Sequence, residues 1–422
     1  MKKHTIKNNK YVVIVDPFST GAVLAGELNK RGYKSISVLS KNKIPDVFST
    51  SYQREDFSFE LRFDNNIDEI LYILGKFNIK AVISCLETSV SIADTIGFEL
   101  GLPCNNYKTS DLRRDKYLMG EAVRNYGLRA VKQQISSTKD GIYSWLEEHK
   151  KYPVVIKPVK SAGSDGVTIC HNLAEVELAY NNIFGIKNKL EEDNTSILIQ
   201  EFLDGDEYVV DTVSLDGCTV TTNVFVYEKT RANGADFVYR AIRAIDNSSP
   251  IAQRLIEYND EVLKAVGITQ GAGHSEIIVM DDEPCLVEVG ARLHGGNIPS
   301  VVQKCAPWSQ IELLIDSYLN RDDFFKKSEI GLRLDKNILI HFYISNKDGE
   351  ISQINNKDEI SNLPSFFDSI WYKNIGCYLN KTTDLYTCPL KVILADADET
   401  VILKDRDKLI SMELSEEIFI LN

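Results

Sequence analysis

The chain has 422 residues, of which 43% are hydrophobic and 26% are charged, so it is long enough for two or three domains with a large core. Its 48 lysines and arginines against 61 aspartates and glutamates give a net charge of −13, which argues against nucleic acid or an anionic membrane as the main partner. No signal peptide or membrane-spanning run is visible and the eight cysteines have no metal-ligand spacing, so we expect a reduced, cytoplasmic protein.

Strand and helix signals alternate through the first hundred residues. The predicted elements are a strand at 11–16, a helix at 21–31, a strand at 35–39, a helix at 67–77, a strand at 81–85 and a helix at 88–100. This alternation predicts an open, Rossmann-like parallel sheet. The first turn, at residues 16–21, lacks GxGxxG, and no P-loop pattern occurs in the chain, so a dinucleotide site is poorly supported.

Two lysines flank a loop of small residues in the next region. Lys116 lies on a helix predicted at 111–127, and Lys157 ends a strand predicted at 153–157. The loop includes Ser161, Gly163, Ser164 and Gly166. Small residues let backbone N–H groups approach phosphate oxygens, and a neighbouring lysine adds a fixed positive charge. An ordinary hairpin loop with solvated lysines is the alternative.

A hydrophobic strand at 196–200 then runs into a polar hinge. The hinge residues are Gln200, Glu201, Phe202 and Leu203. Such a hinge can offer backbone N–H and C=O groups to an adenine edge, and Glu207 is then placed to accept from ribose hydroxyls. A plain strand followed by a turn fits these residues about as well.

Two glutamates fall on a predicted hairpin that follows antiparallel strands at 208–214 and 219–227 and a helix at 251–266. If the turn is centred near Asp282, Glu276 and Glu288 lie opposite each other on one face. Opposed carboxylates about 5 Å apart repel, and a hard cation such as Mg²⁺ would remove that cost. The alternative is an exposed hairpin with two solvated acids.

Several basic residues near these strands have a less certain place. Arg292 follows Glu288 by four residues, where it can reach a carboxylate or phosphate beside a metal, or simply neutralise nearby acids. We interpret His294 as a hydrogen-bonded loop residue. Tyr239, Arg240 and Arg243 lie in a polar segment that we interpret as solvated. Beyond Arg321 the pattern predicts an α+β subdomain without an interpretable motif.

Taken together, these segments resemble the ATP-grasp superfamily over roughly residues 10–320. The motifs that carry the resemblance are, in order, Arg114-Asp115-Lys116, Val155-Ile156-Lys157-Pro158 with its small-residue loop, Gln200 to Glu207, Glu276, and Glu288-Val289-Gly290-Ala291-Arg292. Each motif is weak singly, and their order and spacing make the resemblance specific.

The resemblance implies a nucleotide site. Lys116 and Lys157 would hold the ATP phosphates, with Lys229 as a further contact, and the loop at 161–166 would form a flexible flap over them. The residues implied at adenine and ribose are Gln200, Glu201, Phe202, Leu203 and, for the ribose, Glu207.

The resemblance also implies a metal site and a reacting end. Glu276 and Glu288 would bind one or two Mg²⁺ ions, for which Mn²⁺ can substitute. Arg292 would steady an acyl phosphate or tetrahedral intermediate, and Arg240 would be a second basic residue there.

One position departs from the superfamily pattern. The final motif usually reads Glu-x-Asn, and Gly290 stands where the Asn is expected, so one metal ligand would be lost or replaced. The surrounding residues are most similar to the L-amino acid ligases, the bacilysin-type dipeptide synthetases, some of which also lack that Asn. The resemblance therefore implies an ATP-dependent ligase that couples two amino acids into a dipeptide.

Two other functions stay open at this point. The chain could act on a different small carboxylic acid, or it could be a regulatory nucleotide-binding protein whose active site has decayed. The partners expected are small molecules, and a homodimer is the commonest assembly.

The expected architecture is an α/β and α+β multidomain ATP-grasp fold. Its predicted parts are an N-terminal Rossmann-like pre-ATP-grasp domain at 1–110, a central and lid subdomain at 111–203, a core with the metal site at 204–325 and a C-terminal subdomain at 326–422.

Overall fold

The computed structural model of the protein describes residues 9–161 and 163–422, and its first part is a four-stranded parallel sheet ordered β3-β2-β1-β4. Its elements are β1 (Lys10–Val15), α1 (Leu24–Lys30), β2 (Lys34–Leu39), β3 (Phe59–Arg62), α2 (Ile67–Leu74), β4 (Asn78–Ser84) and α3 (Val90–Glu99). The parallel pairing confirms the predicted open sheet, whereas the short strand β3 was missed.

Both faces of this sheet are covered, as is usual for parallel sheets. Along β1, Val12 and Ile14 belong to a core shared with the central sheet described below. Tyr11 and Val13 point the other way, into a core with α2 and α3. The carboxyl ends of the strands therefore meet at one edge, and Glu87 follows β4 there in a short 3₁₀ helix.

The second part is a four-stranded antiparallel sheet ordered β5-β8-β6-β7. Its elements are α4 (Lys116–Asn125), β5 (Gln133–Ser136), α5 (Lys139–His149), β6 (Val154–Pro158), β7 (Thr168–Cys170), α6 (Leu173–Ile183) and β8 (Ile197–Glu201). Asp115 caps α4 by accepting from the backbone N–H groups of Tyr117 and Leu118, each at 3.0 Å. This cap fixes Lys116 as the first residue of the helix.

The central sheet has eight strands, ordered β13-β12-β9-β10-β11-β14-β18-β16. Its first elements are β9 (Asp206–Leu215), β10 (Cys218–Ala232), β11 (Ala235–Ile245), α7 (Pro250–Val266), β12 (Gly271–Met280) and β13 (Glu283–Gly290). The solvated polar segment predicted around Arg240 was wrong, because β11 is a strand with Val238, Tyr239 and Ala241 buried.

The last part of the chain joins that same sheet. Its elements are α8 (Ile298–Gln303), α9 (Gln310–Leu319), α10 (Arg321–Ile330), β14 (Asn337–Phe342), β15 (Gly349–Ile354), α11 (Lys357–Ser361), β16 (Phe366–Trp371), β17 (Tyr378–Leu379), β18 (Leu390–Asp396), α12 (Glu399–Leu414) and β19 (Phe419–Leu421). Strand β14 pairs with β11, so the backbone ladder crosses the division predicted at 325/326. Strands β17, β15 and β19 form a small separate sheet.

The region contains both helices and strands, and a separate subdomain at 326–422 stays a prediction. Among the helices of the described ranges, none has the length and apolar character needed to cross a membrane.

Candidate active site

A cleft lies between the sheet of β5–β8 and the β12–β13 end of the central sheet. Most of the site residues predicted from the sequence line it. These are Lys116, Lys157, Ser161, Gly163, Ser164, Gln200, Glu201, Phe202, Leu203, Glu207, Glu276, Glu288 and Arg292. The structure therefore brings together residues that are separated by up to 176 positions in the chain, counted from 116 to 292.

Two lysine side chains approach the floor of the cleft from different elements. Lys116, on α4, donates from Nζ to the Ser161 carbonyl oxygen at 2.6 Å and lies 3.0 Å from Glu288 Oε1. Lys157, on β6, is 4% exposed. Burial, together with the positive charge of Lys116, lowers the pKa of Lys157 to about 8. Two cations in a confined, partly dry cleft suit a polyphosphate.

The loop between β6 and β7, which we call the glycine loop (Ser161 and residues 163–166), covers this floor; Ala162 lies outside the described residues. Gly163 has φ +68° and Ser164 has φ 61°, so the backbone here is left-handed. Ser161 Oγ donates to Asp165 Oδ2 at 3.0 Å. Among the described loop residues that were predicted for the site, Gly166 does not line the cleft; it packs against Pro158 instead.

The end of the cleft beside the predicted hinge is apolar. Its walls are formed by Val131, Val155, Ile278 and Leu286 beside the predicted hinge. Two hinge side chains form hydrogen bonds within the protein. Gln200 donates to Gln133 at 2.9 Å, and Glu201 accepts from the Lys132 backbone N–H at 2.8 Å. Apolar walls beside a strand edge fit a flat aromatic base. The sequence pattern predicted the hinge but not these apolar walls.

The predicted opposition of the two glutamates is confirmed. Glu276 and Glu288 are direct cross-strand partners, and the turn between their strands is formed by Asp281 and Asp282, both with positive φ. Both carboxylates face the cleft. Burial would raise the pKa of Glu276, but the hydrogen bond from His274 and the positive charge of Lys229 hold it below its usual value.

These carboxylates fit a magnesium ion. Glu276 and Glu288 bring two negative charges and up to four oxygen ligands to one place in the cleft. Hard divalent cations prefer such oxygen donors, and a bound Mg²⁺ would remove the repulsion between the two acids.

Arg292 follows β13 and is buried against an acid from the N-terminal sheet. Its Nε and a terminal nitrogen lie 2.6 and 2.5 Å from Glu87 Oε1, and it also donates to the Leu293 carbonyl oxygen at 2.8 Å. Burial would raise the pKa of Glu87, but the Arg292 charge lowers it to about 2. Sequence analysis missed Glu87, which follows a parallel strand at its carboxyl end, where ligands commonly bind in such sheets.

Gly290 leaves room for this arginine. A Cβ atom placed on Gly290 would lie 3.3 Å from Arg292 Cγ and 3.4 Å from its Nε, closer than most real Cβ contacts. Gly290, which stands where the Glu-x-Asn pattern has its Asn, therefore lies directly against the Arg292 side chain.

A buried histidine–aspartate network lies directly behind Glu276. Asp211 on β9 accepts from His274 Nδ1 at 2.8 Å and from His294 Nδ1 at 2.7 Å. His294 Nε2 is 2.9 Å from the Tyr227 hydroxyl. Burial would raise the pKa of Asp211, but the two imidazoles lower it to about 2. His294 is the hydrogen-bonded residue that was predicted, and Asp211 was missed because its partners are distant in the chain.

Two other basic residues that were predicted for the site, Lys229 and Arg240, do not line the cleft. Lys229 is next to the cleft, with Nζ 2.7 and 2.8 Å from the Glu207 carboxylate oxygens and 4.7 Å from the Tyr239 ring centre. Arg240 is turned away from the cleft and pairs with Glu413 on α12. The structure therefore does not bring Arg240 to the reacting end that the resemblance implied for it.

Comparison with known proteins agrees with this geometry. The model of the ATP-grasp domain family matches residues 150–300. Dapdiamide A synthase of Enterobacter agglomerans is 30% identical over 406 residues, which is 94% of each chain. Alanine–anticapsin ligase of Bacillus subtilis (strain 168) is 23% identical over 74% of this chain and 69% of its own. The crystal structure of an L-amino acid ligase from Bacillus licheniformis superposes with a TM-score of 0.75, at 17% identity and 99% coverage of both chains.

The cleft, its ordered motifs and these full-length similarities lead to one conclusion. The chain belongs to the ATP-grasp superfamily and is an ATP-dependent ligase that forms amide bonds.

Proposed function

We propose that this enzyme couples the carboxylate of one amino acid to the amine of a second, giving a dipeptide, ADP and phosphate. The observation that carries the proposal is the meeting of Lys116 and Lys157, the paired Glu276 and Glu288, and Arg292 in one cleft. The similar proteins named above include a dapdiamide synthase and an alanine–anticapsin ligase, and those names fit amide formation between small amino-acid-like molecules.

The nucleotide binds along the length of the cleft in this proposal. The base lies between the apolar walls at the hinge of Gln200 to Leu203, and Glu207 reaches the ribose. Lys116 and Lys157 hold the phosphates, with Lys229 nearby. Glu276 and Glu288 would hold one or two Mg²⁺ ions, which would offset the charge that moves with the γ-phosphoryl group.

Two chemical steps follow at the other end of the cleft. The first amino acid's carboxylate oxygen attacks the γ-phosphorus, and the bond to the ADP oxygen breaks, giving an acyl phosphate and ADP. The second amino acid's amine then attacks the acyl carbon, and phosphate leaves as the amide forms. Arg292 stabilises the oxyanion that develops on the carbonyl oxygen, and Glu87 holds the guanidinium in place for it.

Catalysis by this route needs a closed site. Water would hydrolyse the acyl phosphate, so the glycine loop has to cover the phosphates during the reaction. The loop already contacts Lys116 through the Ser161 carbonyl oxygen.

The proposal is tested by measuring phosphate release from ATP and Mg²⁺ across a matrix of paired amino acids, with mass spectrometry of the products. We expect release that requires two amino acids and a product with the dipeptide mass. Release with a single non-amino-acid carboxylate and an amine would favour the second candidate, a ligase for another small acid. Release that never requires an amine would contradict amide formation by this enzyme.

A further inference from the structure

A turn from the C-terminal part of the chain lies directly on the glycine loop. The ring of Tyr386 packs over Gly163 so closely that a Cβ atom there would lie 2.9 Å from the ring and 3.1 Å from the hydroxyl oxygen. Lys189 pairs with Asp384, and its Nζ lies 5.1 Å from the centre of the Tyr386 ring. Residues from the far end of the sequence therefore touch the loop above the phosphate-binding floor.

The turn, which we call the latch (residues 382–387), is held in shape by its own hydrogen bonds. Asp384 Oδ1 accepts from the backbone N–H groups of Tyr386 and Thr387, both at 2.9 Å. Thr382 is tied to the body of the protein, since its carbonyl oxygen accepts from Asn233 and its hydroxyl from the Ser345 backbone N–H, both at 2.9 Å. The latch is thus anchored to the central sheet.

The loop side of this contact is also connected by polar groups. Asp165 Oδ2 accepts from Ser161 Oγ at 3.0 Å and from the Lys189 backbone N–H at 2.9 Å. Lys189 therefore reaches the glycine loop through its main chain and the latch through its ammonium group. Because Ser161 also accepts from Lys116, a continuous series of contacts runs from the latch to the phosphate-binding lysine.

The charges of Glu87 and Arg292 act on the Tyr386 phenol. Burial raises the pKa of the Tyr386 phenol, and the Glu87 carboxylate raises it further, while Arg292 opposes this effect. Tyr386 does not line the cleft, so it acts through the loop on which it packs.

We propose that the latch holds the glycine loop closed over the bound phosphates, with Tyr386 and Asp384 as positioning residues that keep water from the acyl phosphate. This inference rests on the proposed function. Packing of the aromatic ring on Gly163 is the main contact, and the Asp384–Lys189 pair is the weaker one because both side chains are partly exposed.

The first test is the amount of amide formed per phosphate released, at saturating substrates, for Tyr386→Ala, Tyr386→Phe and Asp384→Asn. We expect a roughly three- to tenfold lower ratio for Tyr386→Ala, a smaller loss for Asp384→Asn, and a ratio near wild type for Tyr386→Phe, which keeps the ring. The control is Tyr378→Ala, since Tyr378 lies in the same part of the chain and is 57% exposed. An unchanged ratio in Tyr386→Ala would overturn the proposal.

The second test does not depend on turnover. Backbone hydrogen exchange around Gly163 is measured with Mg²⁺ and a non-hydrolysable ATP analogue. We expect roughly tenfold faster exchange in Tyr386→Ala than in the wild type or Tyr378→Ala. Equal exchange would contradict the latch even if the enzyme proved to use another acid, so failure of the latch and failure of the proposed substrates are distinguishable. If Tyr386→Ala does not fold, Asp384→Asn serves in both measurements.

Discussion

The two ends of the cleft are lined by different kinds of side chain. At the hinge end the walls are apolar, and the side chains of Gln200 and Glu201 are bonded within the protein. At the reacting end, buried charges pair with each other, as Arg292 does with Glu87 and Lys116 with Glu288. Removal of one charge leaves its partner buried and unpaired, whereas a smaller apolar wall only loses contact. Substitutions should therefore affect turnover at one end and affinity at the other.

The largest effect is expected for Glu288→Ala. This substitution removes a proposed metal ligand and the ion-pair partner of Lys116, so we expect turnover to fall by about 1,000-fold or more, with ATP binding weakened far less. Steady-state kinetics and nucleotide titration measure the two quantities. Glu283→Ala, an exposed glutamate on the same strand, is the control. Retained ligation in Glu288→Ala would contradict the metal assignment.

Arg292→Ala should be the next most severe change. Loss of the guanidinium removes oxyanion stabilisation, so kcat should fall roughly 100- to 1,000-fold. It also leaves Glu87 buried without its partner, which should lower the free energy of unfolding by about 3 kcal/mol. Urea unfolding measures the stability, with Arg254→Ala as an exposed control. Adding Glu87→Gln should recover stability and not turnover; recovery of both would show that Arg292 is structural only.

A substitution at Gly290 can show whether this position matters because it leaves space for Arg292 or because it lacks a metal ligand. The new side chain of Gly290→Asn would crowd Arg292, so we expect kcat to fall by about tenfold and the pairing with Glu87 to weaken. Gly295→Ala is a suitable control, because a Cβ atom there makes only ordinary contact, at 3.8 Å from Ser19 Oγ. A higher kcat or tighter Mg²⁺ binding in Gly290→Asn would instead show that a missing ligand limits the natural enzyme.

ATP affinity should depend on pH through Lys157. Without nucleotide its pKa is about 8, and bound phosphates favour the charged form. Affinity should therefore be constant below pH 8 and fall by up to about tenfold per pH unit above it, until the pKa of the complex is passed. The effect is checked by measuring the ATP dissociation constant between roughly pH 6.5 and 9.5, the range over which Lys157 changes its charge. Lys157→Arg should flatten the profile, and an unchanged slope there would assign the proton to another group.

The smallest effect is expected at the hinge end. Val155→Ala removes two methyl groups from the apolar wall, which should raise the KM for ATP by about fivefold and leave kcat and the amino-acid KM nearly unchanged. A kcat loss as large as that of Gly290→Asn would show that the two ends of the cleft are not independent.

Local patterns predicted those features of the fold and site that depend on nearby residues. The pairing of Glu276 with Glu288 followed from the length of one short turn, and the parallel sheet followed from alternating strand and helix signals. Strand β11 was missed because register shifts in its pairing with β10 interrupt the alternation of buried and polar residues. Arg240 was assigned to the site from the resemblance, by its spacing from Lys229, and in the structure it pairs with Glu413 on α12.

Contacts between distant parts of the chain could not be predicted in this way. Glu87 meets Arg292 across 205 positions, and Asp211 meets His274 across 63. The segment around Tyr386 contains no motif that we could interpret. Its contact with the glycine loop depends on where β18 and β14 place it, which the segment's own residues do not indicate. Only the tertiary structure brings these residues together.

The continuous eight-stranded sheet has a consequence for how substrates enter. Its hydrogen-bonded ladder runs without a break from β13, which carries Glu288, through β14 and β18 to β16. We therefore expect the carboxylates and the anchor of residues 382–387 to keep their relative positions when the cleft opens. The sheet of β5–β8, which carries Lys157 and the glycine loop, is separate from this ladder, so we expect it to be the part that moves when substrates enter, about the short connection from Glu201 to Asp206.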